Sequence, residues 1–538
     1  MATPTSAQVT GRGTAVIEGG WQGARIGPAL LTLAVGLVLY FGLPRLAPLP
    51  GAGVFAGQAA PPRATASASP KEAKAAPVPS ADPDAKAKAT AEEKRKADWV
   101  KGLHLFAIFV TTILGIILKP LPMGAVAMIG IAITALSGTL SIADALSGFS
   151  DVVIWLIVLA FFISRGFIKT GLGARVAYTF MALLGRRTLG LSYGLAATDL
   201  VLSPAIPSNT ARAGGIVMPI MASLARVYGS LPDGTARRMG SFLTLTVYQV
   251  DCITSAMFLT AMAANPLAQK LAGDLKVTLT WGGWALAALV PGLISLLVVP
   301  YVIYKVHRPE VTETPEAVEI ARGHLRDLGP IRRQEWMMMG VFVLLLVLWI
   351  FARPLGDLNP TTSALIGLAV LLLTGVLGWE DIKQETGAWD TLVWFAALVM
   401  MAGFLNRLGM IPWFSRTMGG MVAGRGWIVA FLVLALVYFY SHYFFASNTA
   451  HVASMYAAFL GVSVVAGAPP VLAALVLAFF SNLFAGMTHY GTGPAPVLFG
   501  TGYVEVGTWW RVGLLISVIN IAIWVGIGGL WWKVLGLW

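Results

Sequence analysis

Apolar runs long enough to approach the thickness of a bilayer recur along most of this chain, and they restrict its fold more than any other feature. They fall at 26–41, 103–118, 284–304, 341–351 with its flanks, 428–440 and 512–530. Stretches of about 18–22 apolar residues cross a membrane as helices, because a helix satisfies its own backbone where water is absent. A barrel would need ten-residue strands of alternating polarity, and the sequence contains no such segments. The expected fold is therefore an all-α polytopic membrane protein. Charged residues make up 12% of the chain, against about 25% in ordinary soluble domains.

The formal net charge is +12, but the basic residues gather in loops beside apolar runs, as positive-inside topology requires. The lipid bilayer, not nucleic acid, is the expected partner. The stretch 304–336 is the longest charged segment between spans, and it reads as a loop (306–335) on the cytoplasmic side. A single cysteine, Cys252, excludes an internal disulfide and a cysteine metal cage. No metal or cofactor is expected.

The chain divides into a polar tail (1–25), a first membrane helix (26–45), an Ala/Pro/Lys-rich segment (46–98) and two denser halves (99–305 and 336–538). The composition of 46–98 lacks the large apolar residues that a core needs, so it reads as a disordered linker. The run at 26–43 has a second reading, as the apolar part of a cleaved signal with "AGQAA" as the cleavage site.

The two halves carry an internal repeat. "DVVIWLIVLAFF" begins at Asp151 and "DTLVWFAALVMM" at Asp390, a separation of 239 residues that Trp155 and Trp394 reproduce. The tripeptide Ser-Asn-Thr occurs at 208–210 and again at 447–449, with the same separation. Each copy continues with Ala and a basic residue, Arg212 or His451. Duplicated halves are the usual build of secondary transporters, with the substrate bound at their interface near the midplane.

In the first copy Pro207 lacks a backbone donor and breaks the helix. Ser208 and Asn209 then cap a new half-helix running through Val217. Its unpaired amides and positive dipole end favour an anion. The second copy has no proline, but Ser441, His442, Ser447, Asn448 and Thr449 interrupt an apolar run. Two such sets facing each other would hold the two carboxylates of a small dianion. Small polar residues also pack membrane helices without any ligand, which is the plainer reading for one copy alone. Further along each half, "TAMAANPLAQ" (260–269) and "THYGTGPAPVLFG" (488–500) falter in the same way. They read either as loop turns or as paired re-entrant tips bringing Asn265, Pro266, Thr492, Gly493 and Pro494 to the site.

These motifs, with "WLIVLAFFISRGFIKTGLG", "HYFFASNTAHVA" and "ATDLVLSPAIPSNTARAGGIVMPI", resemble the divalent anion/sodium symporter family. Within it the chain is most similar to plastid 2-oxoglutarate/malate translocators and bacterial citrate/succinate antiporters. The resemblance covers about 26–45 and 100–538, with 46–98 as an insertion. It implies a homodimer, and within each protomer a scaffold part and a moving transport part with broken helices and re-entrant hairpins, an elevator-type carrier. It places the substrate carboxylates on Ser208, Asn209, Thr210, Ser447, Asn448 and Thr449. The substrates it implies are C4/C5 dicarboxylates such as 2-oxoglutarate, malate or succinate. The Ala/Gly-rich N-terminus fits a bacterial inner membrane, and a plastid inner envelope is the alternative.

In sodium-coupled relatives, cations beside each tripeptide offset the substrate's charge. Here Arg212 and His451 stand four residues after each serine, on the same helical face. The expectation is that they supply as fixed charge what sodium supplies elsewhere, giving sodium-independent exchange. The alternative is a sodium-coupled dicarboxylate symporter of the same fold. An intramembrane hydrolase using Ser447 and His451 lacks a third orienting group, and a channel would want a ring of basic residues along a pore. The protein is not expected to be an enzyme.

Overall fold

The computed structural model describes residues 23–47, 83–232, 234–351, 358–422 and 426–538. Among these, ten helices are long and apolar enough to cross a membrane, and regular β-strands are absent. The expectations for 1–22 and 48–82 lie outside the described residues. The first membrane helix is Ile26–Leu46. It lies along the end of the Pro83–Leu118 helix, where Tyr40 stacks on His104 with centroids 4.2 Å apart.

Two expectations need correction. The polar segment does not stay irregular up to residue 98, because the Pro83–Leu118 helix runs through its last part. Its Ala, Lys and Glu residues are strong helix formers, and the apolar half that follows supplies the anchor. Nor is 306–335 a plain loop. Pro315–Leu328 is an amphipathic helix that buries Ala317, Val318 and Ala321. It packs on the Leu172–Leu184 helix, where Tyr178 stacks on His324 at 4.6 Å. Arg175 grips Glu335 through two nitrogens at 2.5 and 3.1 Å, and it also donates to the carbonyl of Gly329.

The two Ser-Asn-Thr copies sit at the tips of two helical hairpins. In the first, the Thr188–Leu202 helix enters, the chain turns through 203–209, and the helix over 210–227 returns. Both ends of this hairpin meet the same segment. Thr188 N donates to Thr312 O at 3.1 Å, and Ala317 N donates to the Tyr228 hydroxyl at 3.0 Å. The hairpin therefore enters and leaves on one side. In the second, Trp427–Tyr440 enters and the helical run Asn448–Val465 returns. A Cβ built on Gly467, just past its end, would stand 3.5 Å from Trp427 Cβ.

The 26-residue helix Trp281–Val306 sets the relative direction of the two hairpins. At 1.5 Å per residue it is about 39 Å long, more than the hydrocarbon core. Its C-terminal end leads into the segment that holds the first hairpin. Against its N-terminal end lie Trp531 and Trp532, whose indoles donate to Leu286 O and Ala287 O at 2.8 and 2.9 Å. Trp538, six residues on, lies 6.1 Å from Trp427 at the base of the second hairpin. The hairpins thus enter from opposite ends of one spanning helix, and the duplicated halves are inverted.

Candidate substrate site between the hairpin tips

Each tip is built by the same local chemistry. Ser208 Oγ accepts from Ala211 N at 3.1 Å, and Ser447 Oγ accepts from Ala450 N at 3.4 Å. Serine is thus the N-cap in both copies, satisfying an amide that the helix cannot. Both returning helices then widen into π-helical turns, over Thr210–Val217 and Val452–Tyr456. Such turns are rare and concentrate at functional sites.

The tips converge. A cavity of about 290 Å³ lies between them, lined by Ser208, Asn209, Thr210, Ser447, Asn448, Thr449, Thr492 and Gly493 among the expected residues. Asn209 Nδ2 donates to Thr492 Oγ1 at 3.0 Å, and Asn448 Nδ2 donates to Ser481 O at 3.0 Å. Gly493 is a close-approach position, since a Cβ there would fall 2.1 Å from Thr210 Oγ1. The larger, mostly apolar cavity, about 400 Å³ between Ile26–Leu46 and its neighbours, offers no comparable donor set.

The other expected residues do not line the cavity. Asn265 is in the first turn of the Ala264–Asp274 helix, not at a hairpin tip. Its amide donates to Ser255 O and Phe258 O at 2.8 and 2.9 Å, and its oxygen accepts from Asn482. It ties together the break at 258–263, with Pro266 one residue further into the helix. Pro494 occupies the first position of the Pro494–Phe499 helix, where its missing donor costs nothing.

Arg212 is fully buried behind the first tip rather than in the cavity. Its Nε lies 3.1 Å from Asp199 Oδ1, and its Nη2 lies 3.1 Å from Asp251 Oδ1. Nη2 also donates to Ser255 Oγ at 2.8 Å, while Nη1 donates to two carbonyls, Ile206 O at 2.7 Å and Ala261 O at 2.5 Å. The residue expected to offset the substrate's charge is therefore itself paired with two carboxylates. It joins two interruptions of the backbone, the turn at 203–209 and the break at 258–263. His451 is likewise buried, outside the cavity lining, in a stack with His442 and Phe484.

Several lining residues were not singled out from the sequence. Met262 sits between the tips, Thr391 and Trp394 come from the second half's Thr386–Arg407 helix, and Phe161 comes from the first half. Lys119 is the charged residue among the described lining. The pairing of Trp155 with Trp394 in the repeat pointed to this helix, but nothing in an apolar run marks which face is wetted.

The profile of the family described as "Sodium:sulfate symporter transmembrane region" matches residues 99–538. The chain belongs to this family, the divalent anion/sodium symporters. It is 62% identical to "Putative malate transporter YflS" of Bacillus subtilis over 440 residues, covering 81% of this chain and 92% of that protein. It is 47% identical to "Dicarboxylate transporter 1, chloroplastic" of Arabidopsis thaliana over 522 residues, covering 96% of this chain and 85% of that protein. "Inner membrane protein YbhI" of Escherichia coli is 41% identical over 444 residues, covering 81% of this chain and 92% of that protein. The crystal structure of the Alcanivorax borkumensis YdaH transporter matches with a TM-score of 0.51 at 12% identity. That match covers 75% of this chain and 88% of that one, and it supports the fold. The family member described here is an integral membrane transporter, not an enzyme.

Proposed function

We propose that the protein exchanges C4/C5 dicarboxylates, such as 2-oxoglutarate, malate or succinate, across a bacterial inner membrane without sodium. The names of its relatives support the substrate class. The cavity supports it chemically, because hydroxyls and amides from two facing tips suit two carboxylates. The two returning helices also direct their N-termini at the cavity, each equivalent to roughly half a positive charge.

One observation carries the sodium-independent reading. Arg212 Nη1 is held by two backbone carbonyls, Ile206 O and Ala261 O, drawn from two separate breaks in helical structure. Converging carbonyls of this kind are how broken membrane helices hold a mobile cation. A tethered guanidinium fills that position here. Asp199 and Asp251 take up its charge locally, so Arg212 fixes the shape of the first tip and the helix ends and hydroxyls meet the anion. An empty cavity leaves those groups unpartnered on a path of low dielectric, whereas a second dianion satisfies them. Exchange is the expected result, carried out by a homodimer whose hairpin-bearing parts move against a fixed scaffold.

Counterflow into proteoliposomes tests this. Uptake of labelled succinate should require an internal dicarboxylate and be indifferent to replacing sodium by potassium. Uptake that depends strictly on sodium would support the symporter instead.

A further inference from the structure

Behind the second tip runs a chain of polar groups that dicarboxylate binding does not itself require. His442 and His451 are both fully buried, with rings parallel to within 8°. Their Nδ1 atoms face each other at 3.1 Å. His442 Nε2 lies 2.8 Å from Gly491 O, and His451 Nε2 lies 3.2 Å from Ser441 Oγ. The Ser441 hydroxyl donates to Tyr438 O at 2.8 Å in preference to Met455 Sδ at 3.7 Å.

Both ends of this chain are backbone carbonyls, which only accept. Four hydrogen bonds link them, and each needs one proton. Two neutral imidazoles and one hydroxyl bring three. A neutral chain must therefore set lone pair against lone pair at one link. With His442 donating to Gly491 O, the conflict falls between the two Nδ1 atoms, between His451 Nε2 and the serine oxygen, or, when the hydroxyl turns to His451, between the serine oxygen and Tyr438 O. One added proton removes it: His451 then donates at both nitrogens, and every link is made.

We infer that the His442–His451 pair is a proton-binding site, holding one proton on the Nδ1–Nδ1 axis. The proton comes from hydronium, which leaves as water, and it forms an N–H bond at Nδ1. The surroundings suit a cation. Phe484 stacks on His442 and His451 at 3.8 and 4.6 Å, and Phe445 and Tyr438 lie 4.5 and 4.6 Å from the His451 ring. Aromatic faces attract a desolvated cation. Tyr438, whose hydroxyl pairs with Ser481 Oγ at 2.8 Å, is the other titratable group in contact. The hydrogen-bond partners of the two rings are Ser441, each other and Gly491 O, none of them a carboxylate, lysine or arginine. The pair adjoins the cavity, since His451 follows Ala450 and Gly491 precedes Thr492, both of which line it. A dianion there favours the proton, and by linkage the proton favours the dianion.

The inference rests on the proposed dicarboxylate site, and its test is separate from that of sodium independence. Succinate is added to the purified full-length protein in weakly buffered detergent above pH 7, where its carboxyls are ionised, and a pH indicator reports proton uptake. The wild type should take up as much as one proton per succinate bound. Its Kd should weaken about tenfold per pH unit once the pair has lost its proton. Ser441→Ala keeps both histidines but shortens the chain to two links that two neutral rings satisfy, so proton uptake should vanish and the pH profile flatten. His451→Gln should do the same, which keeps the test open if one variant fails to fold. Succinate binding without proton uptake in the wild type, or full uptake in Ser441→Ala, would overturn the proton site. Sodium-dependent counterflow with proton uptake intact would overturn the exchange reading alone.

Discussion

Asn209 and Asn448, 239 residues apart, direct their side-chain amides at the same sulfur, with Nδ2 to Met262 Sδ distances of 3.7 and 3.6 Å. The two inverted tips are therefore bridged by a third element, the break at 258–263. A thioether suits this position because it is polarisable and accepts weakly from both sides. Met262→Ala should raise KM for succinate roughly 3- to 10-fold, by removing the shared acceptor and enlarging the cavity. Met262→Leu preserves volume and should fall between. Initial-rate uptake in proteoliposomes measures both, and an unchanged KM in the alanine variant would refute the bridging role.

Removing Arg212 alone leaves Asp199 and Asp251 buried without their partner. Breaking a buried ion pair in this way costs about 3–5 kcal/mol. Arg212→Met should therefore lower thermal stability in detergent sharply, and transport should be lost. Combining it with Asp199→Asn and Asp251→Asn should restore much of the stability but not the transport, because the two carbonyls remain unbridged. Thermal unfolding and counterflow on the same preparations separate these effects. A triple variant that transports normally would show that Arg212 only balances charge.

Gly493 has no room for a methyl group beside Thr210 Oγ1. Gly493→Ala should separate the first tip from the 488–493 break and reduce transport at least tenfold. Adding Thr210→Ala removes the clashing hydroxyl and should recover thermal stability even though a site hydroxyl is lost. Melting temperatures of the single and double variants decide this, and additive destabilisation would count against the close approach.

Lys119 ends the Pro83–Leu118 helix in a left-handed conformation, φ 50°, at the cavity. Glycine adopts that conformation freely, whereas other residues pay about 1–2 kcal/mol. Lys119→Gly should therefore be slightly more stable than the wild type yet slower in uptake, with a weaker dependence on ionic strength. Rates across a salt series test this, and unaltered salt dependence would remove Lys119 from the anion's path.

His307 lies just beyond the Trp281–Val306 helix, with Nε2 against Ser241 Oγ at 2.9 Å and Nδ1 against the Arg237 guanidinium. Burial, followed by the charges of Arg237 and Arg511, lowers its pKa to about 4. Between that value and about 6.5, where a free histidine titrates, the unfolded chain binds more protons than the folded one, so stability falls as pH falls. Melting temperature should decline across this window, and His307→Gln should decline less. Identical slopes would exclude His307 as the source.

The spanning runs and the two capped tripeptides were legible in the sequence because each leaves a local mark, a long apolar stretch or a polar triplet with a cap. Asp199 and Asp251 are polar residues in apolar settings, but their union with Arg212 depends on tertiary packing across 13 and 39 residues. The same limit hid Met262, Thr391 and Trp394, which belong to apolar runs and reach the cavity only through helix rotation. Asn265 looked like a tip residue because polar breaks in membrane helices look alike in sequence. Its partners, Ser255 O and Phe258 O, show that it stabilises a break without meeting the cavity. The helix at 83–98 was missed because its composition resembles that of a solvated linker, and helical order there depends on the apolar continuation.

Because the hairpins enter from opposite ends of one spanning helix, turning the molecule over nearly exchanges its two halves. A carrier with that geometry can expose its site to either compartment by letting each half adopt the other's shape. Full symmetry would make the two exposures equal in energy. The exchange fails at Arg212 and His451, one always charged and clamped by acids, the other in a ring stack that can gain or lose a proton. The preference for facing one compartment should accordingly shift with the acidity of the medium.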